Sequence, residues 1–374
     1  MENKTDYSNI GASIKSKIGR ELHNKKNHPI WIIKNYIYSY FDTLEDYNFD
    51  KFDNLSPFVS IVDNFDKLLI PKNHPARSKS DTYYVNEKTV LRTHTSAHQN
   101  ELLQNGYENF LIVGDVYRKD EIDKHHYPVF HQMEGVMKVP KNENAKDLLL
   151  KVLSGLVKYL FPGKKYRINN DYFPFTEPSF EIEVYYEDKW LEILGCGVMH
   201  KDIIKNNNLE GEYIAFGLGL ERYCLLAFEI PDIRYLWSEH KRFLEQFVDG
   251  KIVKFKPYSE LPTQYKDISF WITKENIRTI KKFEAGQEIE LEVWTEENEF
   301  FDIIREICCD YVCEVKLVDK FYHPKKKIHS RMYRIIYMPS DVSLKNPAEF
   351  TNITNKSQEK IRSILEDKLK IILR

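Results

Sequence analysis

RKDEIDKHHYPVFHQME, residues 118–134, is the stretch from which the rest of the chain is read. Arg118, Asp120, His125, His126, Phe130, Gln132 and Glu134 set cationic, anionic, imidazole, aromatic and amide groups within one short run. FLIVGDVY before it and GVMKV after it are apolar and β-prone, so the segment reads as a strand, a loop and a returning strand. Side chains two apart on a strand share a face, which aims Phe130, Gln132 and Glu134 the same way. A fixed guanidinium opposite an amide and a carboxylate can receive a zwitterion and a polyphosphate together, which is what activating an amino acid requires. A polar strand–loop–strand is also what an ordinary solvated hairpin looks like, so a second segment has to decide.

That segment is AFGLGLER, residues 215–222. An apolar strand runs into Gly217 and Gly219, and Glu221–Arg222 then open the helical pattern RYCLLAFEI. Glycine permits close backbone approach to a ligand, and a helix start offers free N–H groups to an anion. Alone the pattern is weak, because it is off-register for a dinucleotide fingerprint and lacks the βαβ setting.

Together, Arg118 with FHQME and the later GLGLER resemble motifs 2 and 3 of class II aminoacyl-tRNA synthetases. LRTHTSAHQ (91–99), YFPFTEPSFEIEV (172–184) and WLEILGCGVMH (190–200) are similar to the phenylalanyl-tRNA synthetase family, in its short single-chain organellar form. GRELHNKKNHPIW (19–31) and DKFYHP (319–324) extend the resemblance over almost the whole chain. It implies an α+β protein. An antiparallel class II sheet flanked by helices would be followed by a C-terminal ferredoxin-like (βαββαβ) anticodon-binding domain. The expected divisions are an N-terminal extension over 1–27, a catalytic domain over 28–250, a linker over 251–262 containing Pro257 and Pro262, and the small domain over 263–374.

Composition fits such a protein. A chain of 374 residues with 42% apolar residues suggests two domains and ample core. The net charge of −2 gives no global attraction to RNA, so contact must come from a local basic patch. Apolar runs are broken too often by charge to span a bilayer. The 5 cysteines are odd in number and irregularly spaced, which suits free thiols and not a disulfide frame. The N-terminal stretch carries Lys15, Lys17 and Arg20 but also Glu2, Asp6 and Glu21, a poor match to a transit peptide. The organellar address, mitochondrial matrix or another organelle of bacterial ancestry, rests on the resemblance, with the cytoplasm as the alternative.

Local patterns predict a helix over 28–48 (Ile30, Ile33, Ile37, Phe41, Leu44), a helix over 141–161, and strands over 180–186, 190–199 and 212–217. Beyond the linker they predict strand 267–272, helix 300–312, strands 313–319 and 330–337, helix 356–368 and a short end strand. EIELEVW suggests an added hairpin within 273–299.

The resemblance also assigns roles. Arg118 would bridge the amino-acid carboxylate and the α-phosphate, Arg222 would stack on adenine and reach the γ-phosphate, and His126 would donate to phosphate; these form the catalytic set. Phe130 would close the other face of the base, and Gly219 would border the nucleotide. Ser96, Gln132 and Glu134 would accept from the α-ammonium, and His94 would orient the carboxylate. Phe173 and Phe175 flank Pro174 and would wall an aromatic side chain, with Ala215, Phe216 and Gly217 lining the same cavity. Ala97, His98, Gln99, His125, Tyr127, Met133 and Glu192 complete the expected substrate-binding set, although alternation turns His125 away from His126 if both lie on a strand. ATP and Mg2+ are implied, with Glu192 and then Glu177 as metal ligands. No zinc is expected at His125, His126 and His131, which come without thiolates.

For RNA, KFYHPKKKIHSRMYR carries Lys320, Lys325, Lys326, Lys327 and Arg331 with Phe321, Tyr322 and Tyr333 interleaved. Cys308, Cys309 and Cys313 read as small packing residues. The implied partners are L-phenylalanine, ATP and tRNA(Phe), acting on a monomer. Another class II adenylate-forming ligase, or a catalytically silent tRNA-binding relative, remains as the alternative.

Overall fold

The computed structural model describes residues 7–186, 188–257, 261–284, 287–339, 346–369 and 371–374. Its larger sheet contains β1 (Asp50–Phe52), β2 (Asn109–Tyr117), β3 (Val129–Lys138), β4 (Tyr166–Phe173), β5 (Thr176–Tyr186), β6 (Lys189–Met199) and β7 (Tyr213–Gly219), in the spatial order β1-β2-β3-β7-β6-β5-β4. β1 pairs parallel to β2, and every other neighbour is antiparallel.

Helices α1 (Pro29–Asp42), α2 (Ala145–Leu160) and α3 (Leu220–Ala227) cover one face of this sheet. α1 starts where the Pro29 ring supplies a helical φ and the His28 ring accepts from the Ile30 N–H. Ile30, Ile33, Ile37 and Phe41 recur at helical spacing and are buried against Val113, Met133 and Phe216 of the sheet. Each such side chain contributes about 1.5–3 kcal/mol. α1 stops at Asp42, short of the expected 48, because the apolar repeat ends at Leu44 and a turn closes over Thr43 and Glu45. α2 is capped by Asn144, whose side chain accepts from the Asp147 N–H. β4 has no counterpart among the sequence expectations: YRINNDYF is polar on both faces, the mark of an edge strand and a poor periodic signal.

The second sheet has β8 (Gln264–Ile272), β11 (Val312–His323), β12 (Ile328–Tyr337) and β13 (Ile372–Leu373), in the order β11-β12-β8-β13 with antiparallel neighbours. Helices α4 (Glu297–Cys308) and α5 (Pro347–Lys368) share a separate apolar cluster with it, built on Ile268, Phe270, Trp294, Phe300, Tyr333 and Leu365. The hairpin expected within 273–299 is present as β9 (Ile277–Glu284) and β10 (Gln287–Trp294), inserted between β8 and α4.

In the segment before Pro29, Ile10, Ile14 and Leu22 are buried in the main cluster. Within 251–262, Phe255 belongs to the same cluster, with its N–H donated to the Phe228 carbonyl, while residues 258–260 lie outside the described residues. No helix among the described residues is long and apolar enough to cross a membrane.

Candidate functional site

The β2–β3 register puts Val116 opposite Phe130, Gly114 opposite Gln132 and Ile112 opposite Glu134. On the other side of β3, Gln132 pairs with Gly219 and Glu134 with Gly217. Alternation therefore sends Gln132 and Glu134 to the open face of the sheet, over glycines that leave the space clear. His131 and Met133 point the other way into the core, where both are fully buried.

Two cavities open on this face. The first, about 520 Å³, is lined by His94, Ser96, Gln99, Gln132, Glu134, Phe173, Phe175 and Ala215. The second, about 240 Å³, is lined by His125, His126, Phe130, Gly219 and Arg222. Arg118, Asp120, Gln132, Glu192 and Gly217 line both. The Arg118 Nε donates to the Thr93 carbonyl at 2.6 Å, and its guanidinium lies 5.4 Å from the Phe130 ring centroid. Burial works against its charge, while Asp120 and Glu192 favour it. Across the second cavity, the Arg222 Nη1 donates to the Glu192 carbonyl at 2.6 Å and lies 3.6 Å from its carboxylate.

The first cavity carries an unsatisfied cation receptor. The Ser96 hydroxyl donates to Glu134, and the Thr95 N–H donates to the Gln132 side-chain oxygen at 3.3 Å. Glu134 Oε1 and both ring nitrogens of His94 are buried without a hydrogen-bond partner among the described residues. Burial pushes the Glu134 carboxyl up to about 8, with the Ser96 hydroxyl pulling the other way. Burial, and then Arg118, hold the His94 imidazole down to about 3, so it is neutral. A buried carboxyl without a cation is costly, and an incoming ammonium would satisfy it.

The apolar wall is shaped by contact. The Phe173 and Phe175 rings stack at 5.7 Å with an interplanar angle of 11°. A Cβ at Gly195 would stand 2.8 Å from Phe173 Cζ, so glycine sets where that ring lies. Gly195→Ala is expected to push the ring into the cavity and to raise the KM for the aromatic amino acid about tenfold or more, with kcat less affected. An unchanged KM in steady-state exchange kinetics would show that the ring is free to move aside.

Several expected site residues lie elsewhere. Ala97 packs with Val59, Tyr84 and Val90. His98 is held by the Ser56 carbonyl and the Arg92 Nη1, both at 3.1 Å. Met133 is excluded from both cavities by strand alternation. Phe216 does line the first cavity, as expected, while its ring stacks on Phe41 at 5.4 Å and covers Gly135. Tyr127 borders the second cavity, but its hydroxyl is engaged by Asp310 at 2.6 Å and its ring stacks on Trp237.

The metal and histidine expectations also shift. Glu177 reaches neither cavity; its exposed carboxylate lies 3.8 Å from His200, leaving Glu192 alone of the expected metal ligands. Sequence reading missed two other acids, Asp171 and Glu181. Burial raises both carboxyls, and Glu192 adds to the effect. They sit on β4 and β5, where polar residues are easily taken for edge decoration. His125 does not face away from His126: both lie in the loop before β3, His125 in a bend and neither in a strand, and both border the second cavity. The His126 Nδ1 contacts Asp123 at 2.9 Å, which raises its pKa. His131 stays apart from them, paired through Nδ1 with Glu221 at 2.7 Å.

In the second sheet, Lys325, Lys326 and Lys327 are exposed on the β11–β12 turn, with Phe321 and Tyr322 exposed beside them. Lys320 is paired with Glu292 at 3.6 Å. Arg331 is 2% exposed and bound to Glu297 at 3.0 Å, and the neighbouring Tyr333 is buried with it, so neither faces solvent. Cys308 and Cys313 are buried as expected, whereas Cys309 is exposed.

Comparison with known proteins agrees with this geometry. Residues 12–247 match the family described as tRNA synthetases class II core domain (F). The chain is 46% identical to the chloroplastic/mitochondrial phenylalanine–tRNA ligase of Arabidopsis thaliana, covering 98% of this chain and 83% of that one. It is 41% identical to the mitochondrial phenylalanine–tRNA ligase of Mus musculus, covering 95% and 84%. The mitochondrial phenylalanine–tRNA ligase of Saccharomyces cerevisiae is 38% identical over 92% of this chain and 88% of its own. This chain belongs to the phenylalanine-type class II aminoacyl-tRNA synthetases.

Proposed function

We propose that this chain is a phenylalanine–tRNA ligase, joining L-phenylalanine to tRNA at the expense of ATP, which leaves as AMP and pyrophosphate. The observation that carries the assignment to this site is Arg118, which stands on the wall shared by the two cavities. A carboxylate and a triphosphate repel each other. A guanidinium touching both offsets that repulsion and aligns the carboxylate oxygen with the α-phosphorus. Phenylalanine would lie in the first cavity, its ring between Phe173, Phe175 and Ala215 and its ammonium at Glu134, Gln132 and Ser96. ATP would lie in the second, with adenine between Phe130 and Arg222 and the phosphates near His126. Attack on the α-phosphorus releases pyrophosphate, and a ribose hydroxyl of the tRNA end then displaces AMP. Bound Mg2+ would neutralise phosphate charge there; Glu192, with Asp171 and Glu181 beside it, offers the oxygen ligands.

The part after 262 we infer to be a ferredoxin-like anticodon-binding domain, following a catalytic domain over 28–250 and a linker over 251–262. Exposed Lys325, Lys326, Lys327, Phe321 and Tyr322 support RNA stacking and phosphate contact at one end of its sheet. The relatives' organellar names support an organellar address and action as a single chain.

ATP–pyrophosphate exchange against the twenty amino acids tests the reading: phenylalanine should drive it far above the rest, and exchange with a different acid alone would overturn it. Tyrosine should come second. An apolar pocket rejects an added hydroxyl by only about a hundredfold. A tyrosine rate no higher than that with alanine would reveal a specific rejection device in the pocket.

A further inference from the structure

The loop between β2 and β3 carries the groups that border both cavities, yet much of its hold comes from the second sheet's unit. The Lys119 ammonium, next to Arg118, is enclosed and lies 2.8 Å from Glu299 and 3.0 Å from Asp302, both on α4. Asp302 also accepts from the Tyr83 hydroxyl at 2.9 Å. The Arg305 Nη2, also on α4, donates to the Asp120 carbonyl at 2.9 Å and to the Glu121 carbonyl at 3.1 Å. The Ile122 side chain is buried in the second unit's apolar cluster, and its carbonyl accepts from the Val315 N–H at 2.8 Å. Asn298 of α4 reaches the wall of the first cavity itself.

We propose that Glu299, Asp302 and Arg305 are positioning residues for adenylate formation, which makes α4 a working part of the activation site. The proposal rests on the ligase reading above. Arg118 is itself held by two bonds, its Nε donating to the Thr93 carbonyl at 2.6 Å and its backbone N–H to the Pro128 carbonyl at 3.0 Å. On the C-terminal side, the next four residues are tied to α4 and β11. Without those ties the chain keeps the Lys119 N–H bond to the Asp81 carbonyl at 3.0 Å but loses its hold over Asp120 to Ile122, and the guanidinium is aimed less firmly between carboxylate and phosphate. The residues that would hold the ring and the ammonium of the amino acid are on strands and the 95–98 turn, so the deficit falls on the chemical step more than on phenylalanine binding. Placement errors on the order of an ångström cost about a hundredfold in rate.

The test is ATP–pyrophosphate exchange by the full chain, without tRNA, normalised to active sites by the burst of adenylate. The Glu299→Gln/Asp302→Asn double variant keeps shape and removes charge. It is expected to lose about ten- to a hundredfold in kcat, with the KM for phenylalanine within about threefold of wild type. Lys119→Arg, which preserves the ion pairs, should retain most of the rate. Should the double variant not fold, Glu299→Gln alone carries the same test, since that carboxylate is 39% exposed. An active-site-normalised kcat at the wild-type value would overturn the positioning role. A wild-type chain that fails to exchange with phenylalanine would overturn the ligase reading instead.

Discussion

Replacing Arg118 with alanine is expected to lower phenylalanine-dependent pyrophosphate exchange by about three orders of magnitude or more, mostly in kcat. Two effects combine in that number. The guanidinium stands where a carboxylate and a polyphosphate must meet, and its Nε bond to the Thr93 carbonyl at 2.6 Å fixes its direction before either arrives. A preorganised donor pays no reorganisation at the moment of reaction, and losing one such donor alone costs about a hundred- to a thousandfold. Loss of alignment adds to this. The Phe130 ring beneath the guanidinium remains in the variant, so nucleotide binding should fall less than turnover. Arg118→Lys should recover only part of the rate, because an ammonium gives one point of charge where two acceptors need a planar fork. If Arg118→Ala retains exchange within tenfold of wild type, the bridging role belongs to another group, and Arg222 on the far side of the second cavity is the next to examine.

The catalytic half of the fold was legible because its signals are local. Strand alternation around FHQME places Gln132 and Glu134 on the open face and His131 on the other, as found. The same rule removes Met133 from the expected site, since it sits beside the lining residues Gln132 and Glu134 in sequence and on the opposite face in space. Strand alternation does not govern His125, because Asp123 accepts from the successive His125 and His126 N–H groups and folds the chain into a bend.

What stayed hidden is long-range. Tyr127 looks like a loop aromatic beside a phosphate site, yet its hydroxyl partner, Asp310, lies 183 positions away. Arg331 looks like one of several basic residues on an exposed turn, but its register opposite Phe270 and Lys320 turns it towards Glu297 and the core. Charge in a sequence carries no sign of which face it occupies; pairing partners decide that, and they are set by tertiary contact. The buried ion group around Lys119 is illegible for the same reason, since a lysine in a polar loop reads as solvated until two carboxylates from a distant helix close on it.

Phenylalanine binding should depend steeply on pH, through Glu134. Burial raises that carboxyl to about 8 in the empty pocket, so near neutrality the site holds a proton that the zwitterion must displace before its ammonium can pair. The sign follows from linkage: the group is carboxylate when bound and largely acid when free, so binding releases a proton and strengthens as pH rises. Below about pH 8 the KM should increase by up to about tenfold per pH unit lost, and above it the dependence should level off until the substrate's own ammonium deprotonates. His94 contributes nothing to this slope, because its imidazole is already neutral throughout the range. Glu134→Gln should flatten the profile and reduce kcat/KM by two to three orders of magnitude, as expected when one member of a buried ion pair worth about 3–5 kcal/mol is removed. Ser96→Ala separates the two contributions. It deletes the hydrogen bond that stabilises the carboxylate, so the inflection should move to higher pH while the slope persists. A KM for phenylalanine that stays flat between pH 6 and pH 8 in the wild type would mean that Glu134 is already ionised in the empty pocket, and that another cation occupies the place assigned here to the substrate.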